Sequence, residues 1–239
     1  MTELLYHTDA YLQDFEGVVT ALLTEERAVV LDRTAFYPGG GGQPCDIGSL
    51  NVGGVLYTVD KVKKQDDGVL HFLGGTSPLP AVGSAARGTL DWTRRHKLMR
   101  THTALHVLCG TIFRDYGAQV TGGNMEPLKG HLDFEFETMR GELVRDIETA
   151  INKEVQMARD IRVNILPREE AFQIPDLIRT KINLLPEGIS HVRTIEIVGL
   201  DLQADGGTHV RNTDEVGHIR VADYKSKGAI NKRIYIEVE

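Results

Sequence analysis

The chain has 239 residues and a formal net charge of −7, which is length for one large domain or two small ones with real cores and a balance that argues against broad, nonspecific binding of nucleic acid while leaving room for a local basic patch. The two cysteines, Cys45 and Cys109, make no disulfide framework, and no apolar run reaches the ~18 residues of a membrane span. Met1 to Tyr11 carries Glu3 and Asp9 but neither Lys nor Arg, unlike a signal or transit peptide, so a cytoplasmic protein is expected.

Up to about residue 90, short apolar runs recur between turn signals: Phe15 to Val19, Ala28 to Leu31, Val52 to Val59, Leu70 to Leu73 and Ala85 to Leu90. Many short strands with short connections predict a small all-β barrel or sandwich. The only helical character falls on Ala21 to Glu26. Within Phe36 to Pro44, four consecutive glycines, Gly39, Gly40, Gly41 and Gly42, precede Gln43. Such a run lets a backbone approach a ligand closely, and it equally suits a hairpin tip. It is no nucleotide P-loop, because the Gly-Lys-Ser/Thr ending is missing. Thr76 to Gly83, with Pro78 and Pro80, reads as a loop near a boundary that divides the chain into domains 1–90 and 91–239.

The period changes at Asp91-Trp92-Thr93. Asp91 or Thr93 can cap a helix from about Arg94 to Tyr116, with Leu98, Leu105, Leu108, Ile112 and Phe113 as its apolar face. Arg94, Arg95, Lys97 and Arg100 crowd its start. Positive charge is disfavoured at a helix N-terminus, so these residues are either a solvated face or a contact for phosphate. A β-hairpin is expected over 120–137, turning at Gly122-Gly123-Asn124, with a strand from Gly130 to Phe136. Thr138 to Arg159 is amphipathic, with Leu143, Ile147, Ile151 and Val155 four apart. Strands are expected at Arg162 to Leu166, Ser190 to Val198, Val216 to Tyr224 and Lys232 to Val238, with a short helix from Pro167 to Phe172. The second domain is therefore read as α+β, helices packed on a largely antiparallel sheet.

His102 and His106 stand four apart in the first of these helices, which places both imidazoles on one face, one turn apart. Asp205 and His209 repeat that spacing in the glycine-rich segment Asp205-Gly206-Gly207-Thr208-His209. Three imidazoles and one carboxylate make a workable zinc set. The metalloprotease form of the motif needs Glu after the first His; here that position is Thr103. Cys109 shares the histidine face but lies roughly 10 Å along the axis from His102, and is read as core.

Together these pieces resemble the free-standing alanyl-tRNA editing proteins, the AlaX family, over nearly the whole chain. The resemblance rests on Asp91-Trp92 through His106, on Asp201-Leu-Gln-Ala-Asp-Gly-Gly-Thr-His209 through Thr213, and on Lys225-Ser-Lys-Gly228 with Arg233-Ile-Tyr-Ile. Tyr37 to Pro44 and the β region around it point to the medium-length form. The resemblance implies an N-terminal β barrel followed by an α+β editing domain, with no aminoacylation. It implies one Zn2+ per chain on His102, His106, Asp205 and His209. The familiar pattern has Cys where Asp205 stands, so Asp205 either ligates directly or orients a histidine. The implied reaction is hydrolysis of misacylated alanine tRNA, mainly Ser-tRNA(Ala), with Gly-tRNA(Ala) also in range. Thr103 and Thr208 are candidates to bond the serine hydroxyl and equally suit plain helix and loop structure. Gly39 to Gln43 are candidates for amino-acid choice. Arg94, Arg95, Lys97, Arg100, Lys225 and Lys227, with Lys232 and Arg233, are candidates for acceptor-stem phosphates. Two rivals remain: editing of another tRNA, such as Ser-tRNA(Thr), and a noncatalytic tRNA-binding module with a structural zinc.

Overall fold

A computed structural model of the protein describes residues 1–66, 68–136, 138–179 and 188–239. The chain divides into two compact units, Met1–His96 and Lys97–Glu239. Among the described residues, no helix is long and apolar enough to cross a membrane.

The first unit contains β1 (Glu3–Leu4), β2 (Asp14–Leu23), β3 (Ala28–Leu31), β4 (Arg33–Thr34), β5 (Gly48–Val52), β6 (Val55–Gln65), β7 (Gly68–Leu73) and β8 (Ala85–Leu90). Six of them close a barrel in the order β2-β3-β7-β6-β5-β8, and every pairing in it is antiparallel. Closure leaves no free sheet edge. Alternation drives it: β8 buries Ala86 and Leu90 while Ala85, Arg87 and Thr89 face out, and Phe15, Val19, Leu31, Leu50 and Val59 fill the interior. Two expectations need correction. Ala21 to Glu26 is not helical, because β2 runs on to Leu23 and the chain then turns through Arg27 at φ 50°. The run Val52 to Val59 is two strands, split at Gly53-Gly54 with φ 59° and 83°, a backbone that glycine adopts at no steric cost.

Helix α1 (Trp92–Tyr116) follows, with its start capped by Asp91, whose Oδ1 accepts from Arg94 N at 3.0 Å. Instead of one apolar stripe, it buries Leu98, Met99, Ala104, Leu105, Val107 and Leu108 on successive faces. The second unit continues with β9 (Val120–Glu126), β10 (Lys129–Glu135), α2 (Gly141–Gln156), β11 (Ile161–Pro167), α3 (Arg168–Ala171), β12 (His191–Ile197), β13 (Asp201–Ala204), β14 (Ile219–Ser226) and β15 (Asn231–Val238). These strands form two antiparallel sheets, β14-β15-β10-β9 and β11-β12-β13. The described chain is thus mostly β, with few helices.

Three differences from expectation concern this unit. Gly122-Gly123-Asn124 is strand, not turn; the hairpin turns at Leu128, φ 64°. Gly123 is there because a Cβ would stand 2.5 Å from Leu132 Cδ2, a close approach rather than a bend. Helix α2 starts at Gly141 and buries Val144, Ile147, Ile151 and Val155; residue 137, the expected hairpin end, lies outside the described residues. The strand β13 was not anticipated. Helix α1 touches both sheets: Thr101 Oγ1 accepts from Leu128 N at 2.8 Å, and a Cβ on Gly110 would come within 2.8 Å of Asp201 Cβ on β13.

Candidate metal centre

The helical spacing of His102 and His106 and the loop after β13 bring four side chains together. One ligand atom from each of His102, His106, Asp205 and His209 lies within 4.8 Å of every other. His102 Nε2 is 3.5 Å and His106 Nε2 3.9 Å from Asp205 Oδ2, and His209 Nε2 is 3.2 Å from Asp205 Oδ1. Donors about 2.1 Å from a tetrahedral ion stand about 3.4 Å apart, so the cluster has the right size for one cation. The three histidines are buried and Asp205 is half-buried.

The groups behind the ligands decide which atoms face inward. His106 Nδ1 lies 3.1 Å from Asp201 Oδ2, a carboxylate that only accepts. Nδ1–H therefore donates outward, and Nε2 is the nitrogen turned toward Asp205. His209 Nδ1 lies 3.2 Å from Thr103 Oγ1; a proton donated there leaves Nε2 as an acceptor as well. Asp205 Oδ1 accepts from Gly207 N at 2.6 Å, which folds the loop into an Asx turn. Arg193, buried on β12, donates from Nη1 to Asp205 O and Gly207 O, each at 2.9 Å, so the loop carbonyls are held on both sides of Gly206.

Burial, with the neighbouring positive groups, lowers His102 to about 4 and overcomes the pull of Asp205. Burial and the adjacent His102 hold His209 well below its ordinary value. Burial also opposes a charge on His106, but Asp201 and Asp205 outweigh it and raise that imidazole to about 9. Burial would raise Asp205, yet the surrounding imidazoles keep it well below the usual carboxylate range. An anionic carboxylate ringed by imidazole nitrogens suits a divalent cation, whose binding displaces the His106 proton.

Other sequence candidates fall elsewhere. Thr103 and Thr208 are fully buried, and Thr103 Oγ1 also accepts from Val210 N at 3.3 Å. Cys109 is buried, outside the cluster, and burial pushes its thiol up. In the first unit, Gly40 and Gln43 pair backbone to backbone at 2.9 and 3.0 Å, and Gly39 to Gly42 all have positive φ, so this stretch is an ordered tight turn. Arg95 is corrected: it is no surface cation. Its side chain is wholly buried against Asp46, Ala10 O and Ala35 O. Arg100 spends its guanidinium on Val216 O and Glu239 O. Lys232 is buried on Gly228 O and Ala229 O, and Arg233 pairs with Asp133. Arg94 is half-buried, with Nη2 3.4 Å from Cys45 O. Lys97, Lys225 and Lys227 are exposed; Lys225 lies 3.1 Å from Asp223.

Two residues behind the cluster were missed, Asp201 and Gln203. Alternate positions on one strand share a face, which was the available signal. A second was Gly110, a glycine inside a helix, where it costs about 1 kcal/mol and so marks a close neighbour.

Residues 192–235 match the family described as Threonyl and Alanyl tRNA synthetase second additional domain, and residues 3–94 match tRNA synthetases class II (A). Over 243 residues the chain is 40% identical to the alanyl-tRNA editing protein AlaX-M of Saccharolobus solfataricus, covering 100% of both. It is 37% identical to the protein of that name from Methanosarcina acetivorans, covering 98% of both. It is also 36% identical to the alanine–tRNA ligase of Ignicoccus hospitalis, over 92% of this chain and 24% of that protein.

Proposed function

The chain belongs to the AlaX-M family of alanyl-tRNA editing proteins, and from that premise we propose that it deacylates misacylated alanine tRNA in trans, releasing serine and, secondarily, glycine. The chain is an aminoacyl-tRNA deacylase; the amino acid, the metal and the residues are our reading. The cluster of acceptor atoms from His102, His106, Asp205 and His209 carries it. Lone pairs that face one another in a buried site are stabilised by a cation, and three imidazoles with one carboxylate fit Zn2+. Asp205 Oδ2 is the ligand oxygen, since Oδ1 is taken by Gly207 N. A bound zinc ion supplies Lewis acidity toward the ester carbonyl or toward water. The chain's own part is to hold the four donors, with Arg193 fixing the loop and Thr103 orienting His209; Thr208 belongs to the packing of the loop.

The need for such a site is physical. A pocket for alanine cannot strongly reject glycine, or a residue that only adds a hydroxyl, so a second, hydrolytic sieve is required. We assign amino-acid choice in part to the turn Gly39 to Gln43. Phosphate contact falls to Arg94, Lys97, Lys225 and Lys227, with Arg95 and Arg100 withdrawn because their guanidinium groups are spent within the protein.

The test is deacylation of preformed Ser-tRNA(Ala), Gly-tRNA(Ala), Ala-tRNA(Ala) and Ser-tRNA(Thr) by zinc-loaded protein and its His102→Ala variant. Loss of serine with alanine spared, and an inactive variant, is the expected result. Preferred hydrolysis of Ser-tRNA(Thr), or a His102→Ala variant as active as the parent, defeats the reading.

A further inference from the structure

Asp201 stands outside the ligand cluster, on β13, with a side chain that has no solvent exposure. A carboxylate is costly to bury unless its oxygens are bonded. Here Oδ2 lies 3.1 Å from His106 Nδ1 and 2.6 Å from Gln203 Nε2, and Oδ1 lies 3.4 Å from Arg179 Nε. The Arg179 guanidinium is itself seated 3.8 Å over the Phe113 ring. Gln203 Nε2 is also 3.3 Å from Cys109 Sγ. Its two protons are thus directed to Asp201 and Cys109, and it has none left for His106 Nδ1 at 3.5 Å. The proton between His106 and Asp201 therefore belongs to the imidazole. The approach of β13 that makes this contact is possible only because residue 110 has no Cβ.

We propose that Asp201 is a positioning residue of the metal centre: it fixes the Nδ1–H tautomer of His106 and aims Nε2 at the ion, while Gln203 and Arg179 hold the carboxylate in place. A carboxylate behind a ligating histidine sets the ring's orientation and raises its basicity as a ligand. The inference rests on the metal reading above. It goes further by assigning a task to a residue that neither ligates nor meets substrate.

The experiment compares wild type, Asp201→Asn and, as a control lacking a ligand, His106→Ala. Zinc affinity is measured by competition with a chelator, the Co2+-substituted proteins by their visible spectra, and the imidazoles of zinc-loaded wild type by 1H–15N correlation. Asp201→Asn should fold as judged by circular dichroism, bind zinc about 10- to 100-fold more weakly and shift the Co2+ bands. Wild-type His106 should show a protonated Nδ1 and metal on Nε2. A folded Asp201→Asn with unchanged affinity and spectrum overturns the inference while leaving the metal centre standing. If that variant does not fold, the wild-type spectrum decides: metal on Nδ1 of His106 overturns the inference, and a protonated Nδ1 supports it. Wild type that takes up no zinc overturns the metal reading and the inference together.

Discussion

Each unit of the chain buries a carboxylate against a cation, and the two arrangements differ in what they leave over. In the barrel unit, Asp46 and Arg95 are closed on themselves. All three guanidinium nitrogens are engaged, on Asp46, Ala10 O and Ala35 O, and Asp46 Oδ2 also takes Tyr37 N at 2.6 Å. In the other unit, Asp201 engages only one nitrogen of His106. The second, Nε2, is 3.9 Å from the nearest Asp205 oxygen, too far for a hydrogen bond. A closed buried pair serves the fold, and one that leaves its second nitrogen turned toward the other donors of the cluster serves a ligand.

The largest effect should come from removing that unspent atom. His106→Ala should abolish zinc retention and lower deacylation by more than about 100-fold, past the range for loss of an outer hydrogen bond. Metal analysis and single-turnover deacylation check it; a variant that keeps its zinc would place His106 with the closed groups. Next is the closed pair itself. Arg95→Ala leaves the Asp46 carboxylate buried and unpaired, at about 3–5 kcal/mol. Urea unfolding should show that loss, with unchanged zinc affinity in whatever fraction stays folded. Weakened zinc binding without lost stability would reverse the assignment of the two pairs.

Legibility in the sequence followed the same division. Local periodicity was enough for the barrel strands at Ala28–Leu31 and Ala85–Leu90 and for the i, i+4 histidines, because spacing along one element decides them. Arg95 looked like a phosphate contact because its partner Asp46 is 49 residues away in sequence and no local pattern records the pairing. Strand β13 was missed because it is only four residues long and its Asp201 and Gln203 face is polar yet covered, while Leu202 and Ala204 pack on the other side. The two glycine pairs were read the wrong way round: Gly53-Gly54, placed inside the run Val52 to Val59, is a turn, and Gly122-Gly123, expected to turn, is strand. Glycine marks both positive φ and a close neighbour, and only the neighbour Leu132 separates the two cases.

A third buried group belongs with the closed kind. His71 has Nε2 2.8 Å from Thr34 Oγ1 and Nδ1 3.3 Å from Val29 O, and burial, against weaker support from the Val29 and Val69 backbones, lowers it to about 4. The folded value lies below the unfolded one of about 6.5. The stability it contributes is therefore complete above pH 6.5 and is lost as pH falls toward 4. A gap of about 2.5 pH units at about 1.4 kcal/mol each sets a ceiling of about 3.5 kcal/mol. The acid limb of the stability curve should flatten by up to that amount in His71→Gln; an unchanged limb would exclude His71 as its source.

The smallest effect tests a group lying between the two kinds. Thr103 Oγ1 is within bonding reach of Val210 N, a fold contact, and of His209 Nδ1, a ligand contact. Thr103→Val keeps the shape and removes the hydroxyl, so a buried N–H loses its acceptor at about 1–3 kcal/mol. A neutral hydroxyl orients a ligand less strongly than a carboxylate does. Zinc affinity should therefore fall by about tenfold at most, the low end for such partners and less than in Asp201→Asn. Thr103→Ser should restore both properties. If Thr103→Val loses stability but binds zinc as wild type does, the hydroxyl serves Val210 alone, and Thr103 joins Arg95 among the groups that hold the fold and not the ion.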